Sequence, residues 1–217
     1  MNRIVQTPLT PTAAATHHRS GPRQTDSYST VAKLIHWTTA IAVLAALMFG
    51  VLIGQSEWPP IATVLETLAG LTGQQVGSLK NQLYDLHRSF GTLVLGLIVL
   101  RVCWWLVRRP PPLPAHMSTA QRAASFSAHS ALYVLLFVLP ILGWVGTSLF
   151  GAPIIVFGLF ELPPIVERDR SQVGWVFELH TYTSIAITAI VALHIGAALK
   201  HRFIDRDGVF QRMTFGR

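Results

Sequence analysis

The stretch Val176-Phe-Glu-Leu-His180-Thr-Tyr-Thr-Ser-Ile-Ala-Ile-Thr-Ala-Ile-Val-Ala-Leu-His194 places two histidines on one apolar run. At 3.6 residues per turn, fourteen steps return to within about 40° of the same face and carry the second ring roughly 21 Å along the axis. A hydrocarbon core is about 30 Å thick, so the two imidazoles fall near its two edges. A polar ring on a membrane helix is costly without a partner, and each of these predicts one. His36 and His87 stand near the starts of two further apolar stretches. Together the four point to two metal centres stacked across a membrane.

Composition agrees with a lipid-embedded chain. Of 217 residues 51% are hydrophobic and 12% charged, against about 25% charged in soluble domains. Four runs are long enough to span: Leu34 to Gly54, His87 to Val107, His129 to Phe150, and His180 to Lys200. The expected fold is therefore all-α, an integral membrane four-helix bundle. With four spans both termini share one side, and of the 17 basic residues only Lys80, Arg88, Arg168 and Arg170 fall on the other. The positive-inside rule then makes both termini cytoplasmic. The net charge of +7 reads as topogenic and lipid-facing; no nucleic-acid motif accompanies it.

Residues 1–28 are rich in Thr, Pro, Ala and Ser and read as a disordered cytoplasmic tail, with His17-His18 as solvated tail. Residues 29–213 form the membrane domain and 214–217 a short tail. Between the first two spans, Trp58 suits the interface, and Ile61, Val64, Leu65, Leu68 and Leu71 fit a short helix along the outer surface within Ile61 to Lys80. Pro110-Pro111-Pro112-Leu113-Pro114 is a stiff, extended connection, and Phe150 to Val173 an outer loop. Cys103, the single cysteine, reads as a small buried residue. No Cys-x-x-Cys-His occurs, which excludes covalent c-type haem. No internal repeat is evident beyond the paired histidines.

Topology assigns depths. His36 and His194 lie at the inner edge, His87 and His180 at the outer, and only residues at equal depth can share an axial metal. A flat macrocycle against a helix also needs a small side chain about one turn from its ligand. Four residues on, His36 meets Ala40, His87 Gly91, His180 Ser184 and His194 Ala198, whereas His129 meets Tyr133 and His201 meets Asp205. Pairs suit six-coordinate haem iron with two axial nitrogens better than a closed zinc site, which wants four ligands at one depth. His129 raises the inner set to three, which leaves copper open, and buried histidines bonded to neighbouring helices remain the plain alternative. His129, Lys200, His201 and Arg202 crowd the inner edge, where haem propionates, a quinone headgroup or lipid phosphates would each suit them. Arg101, deeper in its span, calls for an anionic partner.

Several stretches resemble the bacterial cytochrome b561 family of di-haem membrane cytochromes that includes superoxide oxidase. They are Lys33-Leu-Ile-His-Trp37, Leu86-His-Arg-Ser-Phe-Gly-Thr-Leu93, His129 to Pro140 with Ile141-Leu-Gly-Trp144, Phe157-Gly-Leu159, Leu162-Pro-Pro164, Leu193 to His201, and Arg206 to Met213. The resemblance covers roughly residues 28 to 213. It implies two non-covalent haem b groups, with ligand and metal positions at His36, His87, His180 and His194, in the inner membrane of a bacterium. It further implies electron exchange with a membrane quinone, ubiquinone in the first instance, and superoxide or a periplasmic redox protein as the other partner. The catalytic residues are unknown. Two departures stand out: a long tail before Tyr28 and a long 55–80 connection. On the outer side four basic residues face seven acidic ones (Glu57, Glu66, Asp85, Glu161, Glu167, Asp169 and Glu178). That excess suits a basic protein partner better than an anion, unless Arg88 clusters with Arg168 or Arg170.

Overall fold

The computed structural model describes residues 27–215; the expected tail, with His17-His18, lies outside them except for Ser27 and Tyr28. Five helices are present: α1 Thr30–Gly54, α2 Pro59–Thr72, α3 Val76–Val107, α4 Thr119–Phe150 and α5 Val173–Lys200. All but α2 are long and apolar enough to cross a membrane. Three of the helices start or stop at local signals in the sequence. Ser29 caps α1 by accepting from the Ala32 amide, Pro59-Pro60 opens α2, and Ser118 with Gln121 forms a reciprocal capping box on α4. Gly73 and Gly151 end α2 and α4 in the left-handed region, at φ 68° and 83°.

Helices α3 and α4 begin about three turns earlier than the expected spans. At 1.5 Å per residue their 32 residues reach about 48 Å, well past a hydrocarbon core of about 30 Å. Hydropathy marks only the lipid-embedded part, while the helix itself continues into the polar layer. The expected surface helix is α2, which covers Ile61 to Leu71; the connection that holds it is shorter than expected, because residues 76–80 already belong to α3. Leu65 and Ala69 bury its inner face, and Val64, Leu68 and Leu71 stay exposed.

Close backbone packing runs α1 along α3, α3 along α4 and α4 along α5. Among the described residues α5 faces α1 and α3 across a wider gap. The ends of the bundle differ. One carries Thr30, the α3–α4 connection and the end of α5, and is called the terminal end. The other carries α2 and the α4–α5 connection, and is called the loop end. Apolar side chains such as Leu106, Ile185 and Leu193 point outward, 70%, 60% and 72% exposed, as a lipid-facing surface requires. Cys103 is among the exposed residues, contrary to the buried reading, because its side of α3 looks out of the bundle. Inside, Ala42, Val43 and Val94 form a core joined by Leu47, Phe90, Leu93, Leu97, Leu136 and Val191. Ile187, midway between His180 and His194, is 0% exposed.

The α4–α5 connection contains a feature the helical pattern did not signal. A short antiparallel hairpin pairs Ile154–Val156 (β1) with Phe160–Leu162 (β2) around a turn at Phe157-Gly158, both left-handed at φ 49° and 72°. Ser89 of α3, 1% exposed, ties it down: its hydroxyl donates to the Ile155 carbonyl and accepts from the Phe157 amide at 2.9 Å. Ser89→Ala strands both backbone groups and should cost about 1–3 kcal/mol, read as a lower melting temperature in detergent. An unchanged melt would mean that the hairpin is not anchored through Ser89.

Candidate metal centres

The wide gap beside α5 is bridged by imidazoles at two levels. At the terminal end the ring centres of His36 (α1) and His194 (α5) stand 6.3 Å apart, with planes at 63°. At the loop end those of His87 (α3) and His180 (α5) stand 6.0 Å apart, at 77°. All four are half-buried. An imidazole nitrogen binds a metal at about 2.0 Å, and ring bonds of about 1.33 Å put each atom roughly 1.1 Å from the ring centre. Two rings on opposite sides of one metal therefore have centres about 6.2 Å apart. Both pairs fit that spacing. His129 does not: it is exposed, its ring lies 5.2 Å from His194 in an edge contact, and its Nδ1 donates to the Ser125 carbonyl at 2.6 Å.

Donor and acceptor roles differ between the two levels. At the loop end, Nδ1 of His87 donates to the Ala46 carbonyl at 2.9 Å, and Nδ1 of His180 to the Leu139 carbonyl at 3.1 Å. Each bond fixes the tautomer that leaves Nε2 as a bare lone pair, the form a metal needs. At the terminal end, Arg101 donates from Nη1 to Nδ1 of His36 at 2.9 Å and from Nε to the Tyr133 hydroxyl at 2.8 Å. The anionic partner expected for Arg101 is thus replaced by a phenol and an imidazole, because packing of α3 on α1 and α4 brings those two within reach. A guanidinium only donates, so the neutral His36 ring carries its proton on Nε2. A metal held through Nε2 would need that nitrogen bare, so the ring would have to change tautomer and give up the Arg101 bond, with the positive charge of the arginine still close by. Among the described residues no hydrogen bond uses Nε2 of His36, His87, His180 or His194.

Other candidates at the terminal end form an ionic latch. Lys200 pairs with Asp205 at 2.6 Å, and His201 with Asp207 at 2.6 Å. His116, from the α3–α4 connection, reaches the same Asp207 oxygen at 3.4 Å. The chain end folds back over the bundle: Trp37 Nε1 donates to the Met213 carbonyl, and Ser27 and Tyr28 to that of Arg212. At the loop end the arginines are separately engaged. Arg88 meets Asp85 and the Pro153 carbonyl, and Arg170 lies over the Phe150 ring.

A model of prokaryotic cytochrome b561 matches residues 27–216. The chain belongs to the prokaryotic cytochrome b561 family. Cytochrome b561 homolog 2 of Escherichia coli (strain K12) is 31% identical over 189 residues, covering 87% of this chain and 91% of that one. Probable superoxide oxidase CybB of Yersinia pestis is 24% identical over 186 residues, covering 86% and 94%. This cytochrome b561 is accordingly a multi-pass protein of a bacterial inner membrane, built for transmembrane electron transfer with b-type haem. The spacing of the facing imidazoles and the bare Nε2 atoms at the loop end are what such a group requires.

Asp207 gives the latch a pH dependence. Burial raises its carboxyl pKa, but bonds from the Val209 amide, His201 and His116 outweigh burial and hold it below the usual 3.8. A depressed folded-state value stabilises the fold above 3.8, and that contribution disappears as pH falls through the folded value. Melting temperature in detergent should drop more steeply below pH 3.8 in the wild type than in Asp207→Asn. Parallel curves would show that the latch contributes nothing.

Proposed function

We propose that this cytochrome b561 carries electrons between the two faces of the membrane through two haem b groups, one held by His87 and His180 and the other by His36 and His194. The supporting observation is the pair of facing imidazoles at each end of α5, with ring centres 6.0 and 6.3 Å apart. When bound, haem supplies a one-electron iron couple. The chain's own residues do the rest. The histidines fix position and level, and the carbonyls of Ala46 and Leu139 orient the loop-end rings. Ile187, Val191 and Val94 keep the interval between the levels dry. Arg101 sets a positive charge beside the terminal-end pair.

Residues 29–213 form this haem domain. Both termini lie in the cytoplasm, as the positive-inside rule orients them, so the loop end faces the periplasm. Two electrons taken one at a time from superoxide at the loop end, with two protons from the other face, reduce one ubiquinone to ubiquinol. Superoxide loses one electron and leaves as O2. The second reading is an anchor that receives electrons from a periplasmic redox protein. The acidic loop end favours it, because Arg88 is paired with Asp85 at 3.5 Å and the surplus of carboxylates there repels an anion.

A pyridine haemochrome assay on purified protein should count two haem b per chain. His87→Ala or His180→Ala should remove one and leave the terminal-end spectrum; equal loss of both from a folded chain would refute the pairing. Stopped-flow mixing with superoxide separates the two readings. Haem reduction faster than spontaneous loss of superoxide supports the oxidase, and its absence supports the anchor.

A further inference from the structure

Glycine is unfavourable in a helix interior, and where a neighbour lies against its bare backbone the missing side chain makes the contact possible. Gly50 in α1 and Gly143 in α4 are two such residues. A Cβ built on Gly50 would lie 3.1 Å from Cε1 of His87, and one on Gly143 would lie 3.2 Å from Cε1 of His180. Both imidazoles rest against a neighbouring helix at a position where its backbone is bare. Each then reaches the carbonyl one turn back: Ala46 precedes Gly50, and Leu139 precedes Gly143.

The two seats are copies of each other. In both, the histidine follows its acceptor carbonyl by 41 residues. A single step in sequence carries Ala46 onto Leu139, Gly50 onto Gly143 and His87 onto His180. The same step carries Tyr84-Asp85-Leu86 onto Phe177-Glu178-Leu179, and His36 onto His129. The helical pair α1–α3 thus recurs as α4–α5, a repeat that hydropathy alone does not reveal. At the terminal end the copies diverge, because Arg101 of α3 stands where α5 has His194, and Ala40 of α1 where α4 has Tyr133.

We infer that Gly50 and Gly143 are positioning residues for the loop-end centre, matched seats that aim the Nε2 atoms of His87 and His180 along one axis. The inference rests on the two-haem reading. Neither glycine touches the reacting atoms; each acts through its histidine. A methyl group at either position pushes the ring off its carbonyl and tilts Nε2, while the terminal-end pair, which has no such seat, stays as it is.

The test is haem transfer from purified holoprotein to apomyoglobin, followed optically, together with the low-spin EPR signal of each centre. Gly50→Ala and Gly143→Ala should each hold the loop-end haem tenfold to a hundredfold more weakly, the range for loss of a group that orients a ligand, and shift its EPR signal. The terminal-end haem, fully retained, reports that the chain is folded. Gly54→Ala has open space at its Cβ and should match the wild type. Gly146→Ala presses on the Phe177 ring at 2.9 Å, so it should lower the melting temperature without moving haem affinity or the EPR signal. Unchanged loop-end affinity in both seat variants overturns the inference, as does equal loss from both centres or the same haem loss in Gly146→Ala. A wild type with no loop-end haem would instead sink the two-haem reading and this inference with it.

Discussion

Four imidazoles inside a lipid-facing bundle impose the condition that the rest of the molecule meets. Imidazole nitrogens away from water need partners. Here one nitrogen of three of the rings is satisfied from a neighbouring helix: by a backbone carbonyl at His87 and His180, and by Arg101 at His36. The other nitrogen of each ring is left for the centre of the bundle. That is why α5 stands off from α1 and α3 while α1–α3, α3–α4 and α4–α5 pack closely. A bundle packed tightly on every side would bring helix backbones where the imidazoles now face one another.

The two levels solve the same problem with different electrostatics. At the loop end both rings donate to neutral carbonyls, which fixes their orientation. At the terminal end one ring accepts from a guanidinium, with Tyr133 sharing that arginine. The repeat of α1–α3 in α4–α5 explains where each arrangement comes from. Positions that coincide in the two copies build a symmetric site, and positions that differ build an asymmetric one. The two imidazole pairs along α5 therefore sit in different surroundings, one against neutral carbonyls and one beside a guanidinium.

Around the centres, the chain closes its two ends by different means. The loop end uses a β-hairpin tied to the buried Ser89 hydroxyl. The terminal end uses ion pairs among Lys200, His201, Asp205 and Asp207, with the chain terminus folded onto Trp37. Both devices sit where lipid gives way to water, the region in which charged groups and irregular backbone are tolerated. Between them, Ile187 and the Ala42–Val43–Val94 core keep the interval apolar.

The membrane class, the four spans and the grouping of His36 with His194 and His87 with His180 by depth were legible in the sequence, because hydropathy and a period of 3.6 residues are local properties. The membership in the cytochrome b561 family was legible too, carried by motifs spread over most of the chain. Helix ends were less so: α3 and α4 run on past the apolar windows, since a helix does not stop where its hydropathy falls. What only the tertiary structure decided was the set of partners. Nothing around Arg101 in the sequence names His36 and Tyr133, nothing around Ser89 names the hairpin, and Gly50 and Gly143 look like ordinary small residues until a histidine from the next helix lies against each. Such contacts join residues tens of positions apart, and they depend on how helices rotate and pack against one another, which no local pattern of residues encodes.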